Sequence, residues 1–417
     1  MRTRTHRSFT VSEIGLGCYG LSGAYGPPDV AAYTQALRRG YELGVTFYDT
    51  APAYASGVAD AERVLGEAVA PFRDEVAIAT KIGVKEGAAA DLTREIIVAS
   101  CEESLRRLGT DRIDLYQIHY DDPATPVPAI IDTLEGLKQA GKIRHYGLGH
   151  LSPERSADFL AAGDVLSILM ELSAVARHAQ RTLVPLCERY DAAAIAFSTT
   201  GRGLLTGAFA GRDDPPPFAP GDIRALDPLF QRERFDSGLR VAARLAEIGE
   251  QHGRTPVQVA IAWVLAQPRV LCALTGPSTV AHVEENVAAS GWRFPEEALA
   301  ELDGFLAQED ARLARAQQAS VARILNEALP ESPEKAFVDL VYAIETAILL
   351  SRVDEPAVLP VFQELFALRK RLDAEAASDL AAIQERLRAL IPHGPEAPQA
   401  PPTSNIQHPT RSSHDGR

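Results

Sequence analysis

The sequence predicts an α/β protein, a (β/α)8 barrel followed by an α-helical extension and a disordered tail. Three observations predict it. Short runs rich in Val and Ile alternate with helical patterns eight times, up to about residue 290. Those runs are continuously apolar, as strands of a parallel sheet covered by helices are. The chain has 417 residues, which leaves room for an appendage beyond the ~250 of a typical barrel. A doubly wound dinucleotide fold is disfavoured, because Gly15-Leu16-Gly17 lacks the third glycine and the immediate helix of its fingerprint.

The elements follow in order. The first strand is Ile14-Gly15-Leu16-Gly17-Cys18, and Asp29 caps a helix over 30–43 that Gly44 ends. Strands two and three are Val45-Thr46-Phe47-Tyr48 and Val76-Ala77-Ile78-Ala79, and a helix over 92–108 stops at Gly109. The fourth strand covers 113–118, the next helix 127–140, ended by Gly141, and the fifth strand 143–148. Ser152, Pro153 and Glu154 form an N-cap, an N1 proline and an acidic first turn. Strands six, seven and eight cover 165–172, 192–197 and 270–274. Thr255-Pro256 opens the helix before the last strand, and Ser278 or Thr279 begins the helix after it. From about residue 311 no strand pattern remains: helices are expected over 311–329, from Pro333 to about 350, and within 356–391. Phe337, Leu340, Val341, Ile344 and Ile348 form an apolar stripe there that must be buried against something, either the barrel's helices or a second subunit. The expected domains are thus a barrel over 1–308, an extension over 309–391 and a tail over 392–417 too poor in large apolar residues to fold.

Composition narrows the function. Cys18, Cys101, Cys187 and Cys272 are far apart, which argues against a disulfide scaffold or a cysteine zinc site, and no metal is expected. No secretory h-region and no membrane-length apolar run is present, so a cytoplasmic protein without membrane partners is expected. A formal charge of -14 disfavours nucleic acid.

Three strands end in ionisable residues: Asp49, Lys81 and His119. Catalytic groups of a barrel sit at the C-terminal ends of its strands, so the three should converge on one mouth, with Tyr54 one short loop beyond Asp49. A tyrosine is a poor acid at neutral pH, and a neighbouring ammonium favours its phenolate and lowers its pKa. Asp49 would balance a buried Lys81, and His119 would orient a carbonyl oxygen. Together the four form an acid for an oxygen that gains negative charge. Each residue alone has a plain structural reading as a cap, surface or packing residue; the set at consecutive strand ends is what carries the inference.

The string Phe47-Tyr48-Asp49-Thr50-Ala51-Pro52-Ala53-Tyr54, with Glu62-Arg63-Val64-Leu65-Gly66, resembles the signature of the aldo-keto reductases. Gly141-Lys142-Ile143-Arg144-His145-Tyr146-Gly147-Leu148, Gly201-Arg202-Gly203-Leu204-Leu205-Thr206-Gly207 and Glu284-Glu285-Asn286 resemble further motifs of that family, over about residues 9–306. The resemblance implies a barrel that binds NADP(H) without a Rossmann domain and moves a hydride between nicotinamide and a small carbonyl or alcohol substrate. Its catalytic tetrad corresponds to Asp49, Tyr54, Lys81 and His119, with Tyr54 as general acid/base.

The resemblance also implies cofactor contacts. Gly17, Cys18, Tyr19 and Asp49 fall beside the nicotinamide ribose, and Phe197, Ser198, Thr199, Thr200 and Gly201 form the pyrophosphate loop. Arg224 corresponds to a basic residue over the phosphates. Gly276 and Ser278 open the last helix, whose N-terminus favours a phosphate. Ser278 stands where many members have an arginine, and His282, Glu285 and Asn286 match the adenine side. The nicotinamide face departs from the family: Gly149-His150 replaces Ser-Asn, Leu169 replaces a Gln, and Leu172 replaces a Tyr. His150 is then the polar group expected to meet the ring or a substrate, and Glu171 is expected to pair with an arginine such as Arg177. Two other functions are compatible with the resemblance. One is a non-redox lyase or isomerase on the same barrel. The other is a nucleotide-sensing subunit acting through its extension, similar to potassium-channel β subunits. A homo-oligomer through the C-terminal helices is one of two readings of the apolar stripe, packing on the barrel's own helices being the other.

Overall fold

Eight parallel strands close into a barrel in the computed structural model, which describes residues 1–392 except 83–89, 220, 351, 354, 369–370 and 374–375. The barrel strands are β3 (Ile14–Gly17), β4 (Phe47–Asp49), β5 (Ala77–Lys81), β6 (Ile113–Tyr120), β7 (Ile143–His150), β8 (Ser167–Glu171), β9 (Ala193–Phe197) and β10 (Val270–Thr275), and β10 closes the ring against β3. Their outward faces are covered by α1 (Val30–Glu42), α2 (Ala61–Val69), α3 (Arg94–Leu108), α4 (Val127–Gln139), α5 (Pro153–Ala162), α6 (His178–Thr182), α7 (Val184–Arg189), α8 (Arg232–His252), α9 (Pro256–Ala266) and α10 (Val280–Val287). Asp29 and Ser152 cap α1 and α5 as expected, and Thr255 with Gln258 forms a capping box on α9.

One element has no counterpart in the sequence reading. β1 (Thr3–His6) and β2 (Phe9–Ser12) form an antiparallel hairpin. Phe9 and Val11 pack against Phe47, Leu115, Leu169 and Leu271 in the barrel interior, so the hairpin seals the N-terminal end of the barrel. Interior and mouth are thereby separated, and the polar site is left to the opposite end.

The chain divides into two compact units, Met1–Leu313 and Ala314–Arg417. The division lies inside one long helix, α11 (Glu296–Asn326), not at residue 309. Before the division, Glu309 accepts from Arg240 and Ser237, and Asp310 pairs with Arg177. A chain ended at residue 308 is therefore expected to melt below one ended at Leu313. Arg240 would lose Glu309, and Arg177 would lose Asp310 while keeping the Ala174 and Leu306 carbonyls, at a cost of roughly 1–3 kcal/mol in sum. Thermal melts of the two truncations check this; equal midpoints would refute it.

The second unit holds α12 (Pro333–Leu349), α13 (Glu355–Leu368) and α14 (Ala376–Leu390), which pack on one another. Phe337, Leu340, Val341 and Ile344 are buried together with Leu365, Leu380 and Leu387 of this unit. Gln384 and Arg388 of α14 donate to the last carbonyls of α11, at 2.6 Å to Ile324 and 2.6 Å to Leu325. Ile348, the last residue of the stripe, is half-buried; the rest of the stripe is buried in this one chain and so does not call for a second subunit. The expected tail lies outside the described residues from 393 on.

Candidate active site

Alternation along each strand decides which side chains enter the barrel. On β4, Phe47 and Asp49 point inward, while Tyr48 points out and donates to the Leu37 carbonyl at 3.1 Å. On β5, Ala79 and Lys81 point inward, while Thr80 donates to the buried Glu62 at 2.6 Å. Arg107 holds the other oxygen of Glu62 at 2.5 Å. On β6, Leu115, Gln117 and His119 share the inner face.

Lys81 is fully buried, and its ammonium donates to Asp49 Oδ1 at 2.6 Å and to the Thr50 carbonyl at 2.9 Å. The same nitrogen lies 4.8 Å from the centre of the Tyr54 ring. Tyr54 meets His119 edge-on at 5.9 Å between ring centres. The four expected residues thus gather at the C-terminal ends of β4, β5 and β6. From His119 the rings continue to Tyr120 at 4.6 Å, His150 at 5.0 Å and Phe197 at 5.4 Å, and Tyr19 meets Tyr54 at 5.2 Å. Tyr120 is 43% exposed and lies open to the mouth.

The electrostatics correct one expectation. Burial pushes the Tyr54 phenol well above its ordinary pKa, and the Asp49 carboxylate adds to the rise. Lys81, whose charge is largely balanced by Asp49 at 2.6 Å, does not outweigh that rise. Burial, helped by Lys81 and His150, pushes His119 down to about 2, so its imidazole is neutral. His150 keeps an open face but is sunk among protein atoms, and burial followed by the Lys81 charge pushes it down to about 4.

The expected cofactor residues are placed as follows. Gly17 ends β3, and Cys18 and Tyr19 begin the 3₁₀ segment Cys18–Ser22. Ser198 follows β9 in a left-handed conformation with φ 56°, and its Oγ is buried without a partner among the described residues. Thr199 Oγ1 donates to the Leu274 carbonyl at 3.1 Å, the Thr200 carbonyl accepts from Leu205 N–H, and Gly201 has φ 59°. Gly276 and Ser278 are exposed after β10. The cap of α10 is Thr279, whose side chain accepts from His282 N–H at 3.2 Å, so the Ser278 hydroxyl is left for another partner. The Glu285 carbonyl accepts from Gln258, and Asn286 is buried. Arg224 is engaged differently from the expectation: it forks onto Asp222 at 3.0 and 2.6 Å and lies over Phe218 and Tyr25.

Glu171 pairs with Arg202 at 2.7 Å, not with Arg177, which is taken by Asp310. Arg202 also meets Asp227 at 2.9 Å, and burial raises the Asp227 pKa. Arg202, Asp227, Tyr120 and Gln117 were absent from the expected set. Gln117 had a readable signal, since it lies two residues before His119 on the same strand face. Asp227 had none, because its partner is far away in sequence.

A dinucleotide fits this mouth unevenly. The orphaned Ser198 hydroxyl, the left-handed loop and the free Ser278 suit phosphates. At the ring end, Leu169 and Leu172 are buried and apolar. Gly149 has no room for a side chain: a Cβ there would lie 2.6 Å from the Ile118 carbonyl oxygen. His150 is the polar group that remains.

The model of the Aldo/keto reductase family matches residues 13–307. An aldo-keto reductase of Strobilurus tenacellus is 32% identical over 311 residues, covering 72% of this chain and 90% of its own. The aldo-keto reductase yakc of Schizosaccharomyces pombe, whose name carries NADP(+), is 32% identical over 297 residues, covering 69% and 86%. Among solved structures, a glycerol dehydrogenase from Gluconobacter oxydans is similar with a TM-score of 0.66 and 30% identity, covering 74% of this chain and 95% of that one.

Proposed function

This chain belongs to the aldo/keto reductase family, and on that premise we propose that it is an NADP(H)-dependent oxidoreductase of small carbonyl or alcohol substrates, with Tyr54 as general acid/base. The observation that carries the reading is the buried Asp49–Lys81 pair beside the Tyr54 ring, with a neutral His119 against its edge.

When bound, the dinucleotide supplies or accepts the hydride. The chain's own residues manage the proton and the oxygen. Tyr54 keeps its phenolic proton at neutral pH, because burial and Asp49 oppose the phenolate. It is therefore ready to protonate an oxygen as charge builds there. Lys81 stabilises the phenolate left behind, at a site where water is largely excluded. His119 Nδ1 is buried without a partner among the described residues, so Nε2 is the nitrogen left to meet the substrate oxygen. A neutral imidazole donates a hydrogen bond there without competing as an acid. Ser198, Thr199, Thr200, Gly201, Gly276 and Ser278 hold the phosphates, His150 meets the nicotinamide side, and His282, Glu285 and Asn286 lie by the adenine.

NADPH is expected to bind more tightly than NADH. The margin should be smaller than an arginine at 278 would produce, because a serine offers hydrogen bonds without a formal charge. Fluorescence titration with both dinucleotides, followed by single-turnover oxidation against small aldehydes and ketones, tests the proposal. Equal or tighter NADH binding rejects the cofactor choice. Tight NADPH binding without oxidation by any carbonyl favours the alternatives: the non-redox enzyme, which the apolar Leu169 and Leu172 support, or the nucleotide-sensing subunit, which the helical extension supports.

A further inference from the structure

We infer that Gln117 is a positioning residue of the proton-transfer assembly, holding Asp49 so that Lys81 stays beside Tyr54. The inference rests on the reading of Tyr54 as acid/base. Register brings Gln117 opposite Lys81, and both point into the same interior layer as Asp49. Each oxygen of Asp49 has its own side-chain donor: Lys81 at Oδ1, 2.6 Å, and Gln117 Nε2 at Oδ2, 3.0 Å. A carboxylate held at both oxygens cannot turn and draw the ammonium away from the Tyr54 ring.

The chemistry explains why an amide stands there. A carboxylate only accepts, so the NH2 end of Gln117 must face Asp49. This leaves Gln117 Oε1 buried with no partner among the described residues. An orphaned buried carbonyl is costly, and interior packing alone would favour an apolar side chain at this position. The amide is also the neutral donor. A glutamate would set a second negative charge against Asp49, a lysine would add an unpaired cation, and a leucine would strip Oδ2 of its donor. With glutamine the layer of Asp49, Lys81 and Gln117 carries no net charge, and the Tyr54 phenol keeps its proton.

The test uses full-length Gln117→Leu and Gln117→Glu with NADPH and 4-nitrobenzaldehyde, or another aldehyde on which the wild type turns over. It reads kcat and KM against pH, NADPH binding by fluorescence, and the melting temperature. Gln117→Leu is expected to lose about 10- to 100-fold in kcat, while KM and NADPH binding stay near wild type. Gln117→Glu is expected to work at low pH, where its carboxyl still donates to Asp49. Its kcat should fall as pH rises through a carboxyl pKa lifted by burial and by Asp49, a limb that the wild type lacks. If the leucine variant does not fold, the pH limb of the glutamate variant decides alone. Wild-type kcat and pH dependence in Gln117→Glu overturns the inference. So does a loss that is equal at every pH and matched by lost NADPH binding, which marks a merely structural role. Tyr54→Phe runs beside them: if it keeps turnover, the parent reading fails and takes this inference with it. If it is dead while both Gln117 variants behave as wild type, this inference alone fails.

Discussion

Replacing Tyr54 with phenylalanine is expected to cut turnover by a factor of about 10² to 10⁴, with NADPH binding close to wild type. The ring stays against His119 and Tyr19, and only the transferable proton is lost. The pH dependence of the wild type supplies a second check on the same residue. The phenol of Tyr54 is raised above its ordinary value, so the protonated form needed for reduction prevails at neutral pH and is lost only in alkali. Oxidation needs the phenolate and should climb with pH over the same range. His119, held down to about 2, is neutral throughout and contributes no limb near an ordinary imidazole pKa. Initial rates in both directions measure this. A reduction rate that falls as pH rises through ~6–7 would mean that a protonated histidine is the acid, and the role of Tyr54 would be refuted.

Lys81→Met should damage both stability and turnover. The methionine fills the space, but Asp49 is left buried without its counter-charge, and breaking a buried pair costs about 3–5 kcal/mol. The double variant Asp49→Asn with Lys81→Met removes both charges and should recover most of that stability, since neither partner is then stranded. It should not recover turnover, because the ammonium that stabilises the Tyr54 phenolate is still missing. Denaturant unfolding and kcat on the two variants separate the effects. Wild-type stability in the single variant, or wild-type turnover in the double, would show that the pair does not do what its geometry suggests.

Strands that are buried on both faces must be apolar along their whole length, and helices must stop where a glycine or proline forces them to. Such features are local, so the eight barrel strands and the caps at Asp29, Ser152 and Thr255 were readable in the sequence. The convergence of Asp49, Lys81 and His119 was readable for a related reason: each is the polar residue at the end of an apolar strand, and a barrel turns strand ends into one mouth. Gln117 was readable by the same alternation, two residues before His119 on the inward face, but its partner Asp49 lies on another strand and was not.

What depended on distant partners was decided only by the tertiary structure. The hairpin of β1 and β2 is too short to announce itself; Phe9 and Val11 are buried because the far end of the barrel is open to receive them. Glu171 takes Arg202 rather than Arg177 because Arg177 is held by Asp310, far along the chain. Thr279, not Ser278, caps α10, with an extended backbone at φ -144° and its side chain accepting from His282 N–H. The sign of the Tyr54 shift was the largest reversal. Convergence of a lysine and a tyrosine on one barrel mouth suggests a lowered phenol, but that lysine is already paired with Asp49, and burial penalises the phenolate. Desolvation and charge pairing depend on every neighbour in three dimensions, which is why the residues were readable in advance and their protonation states were not.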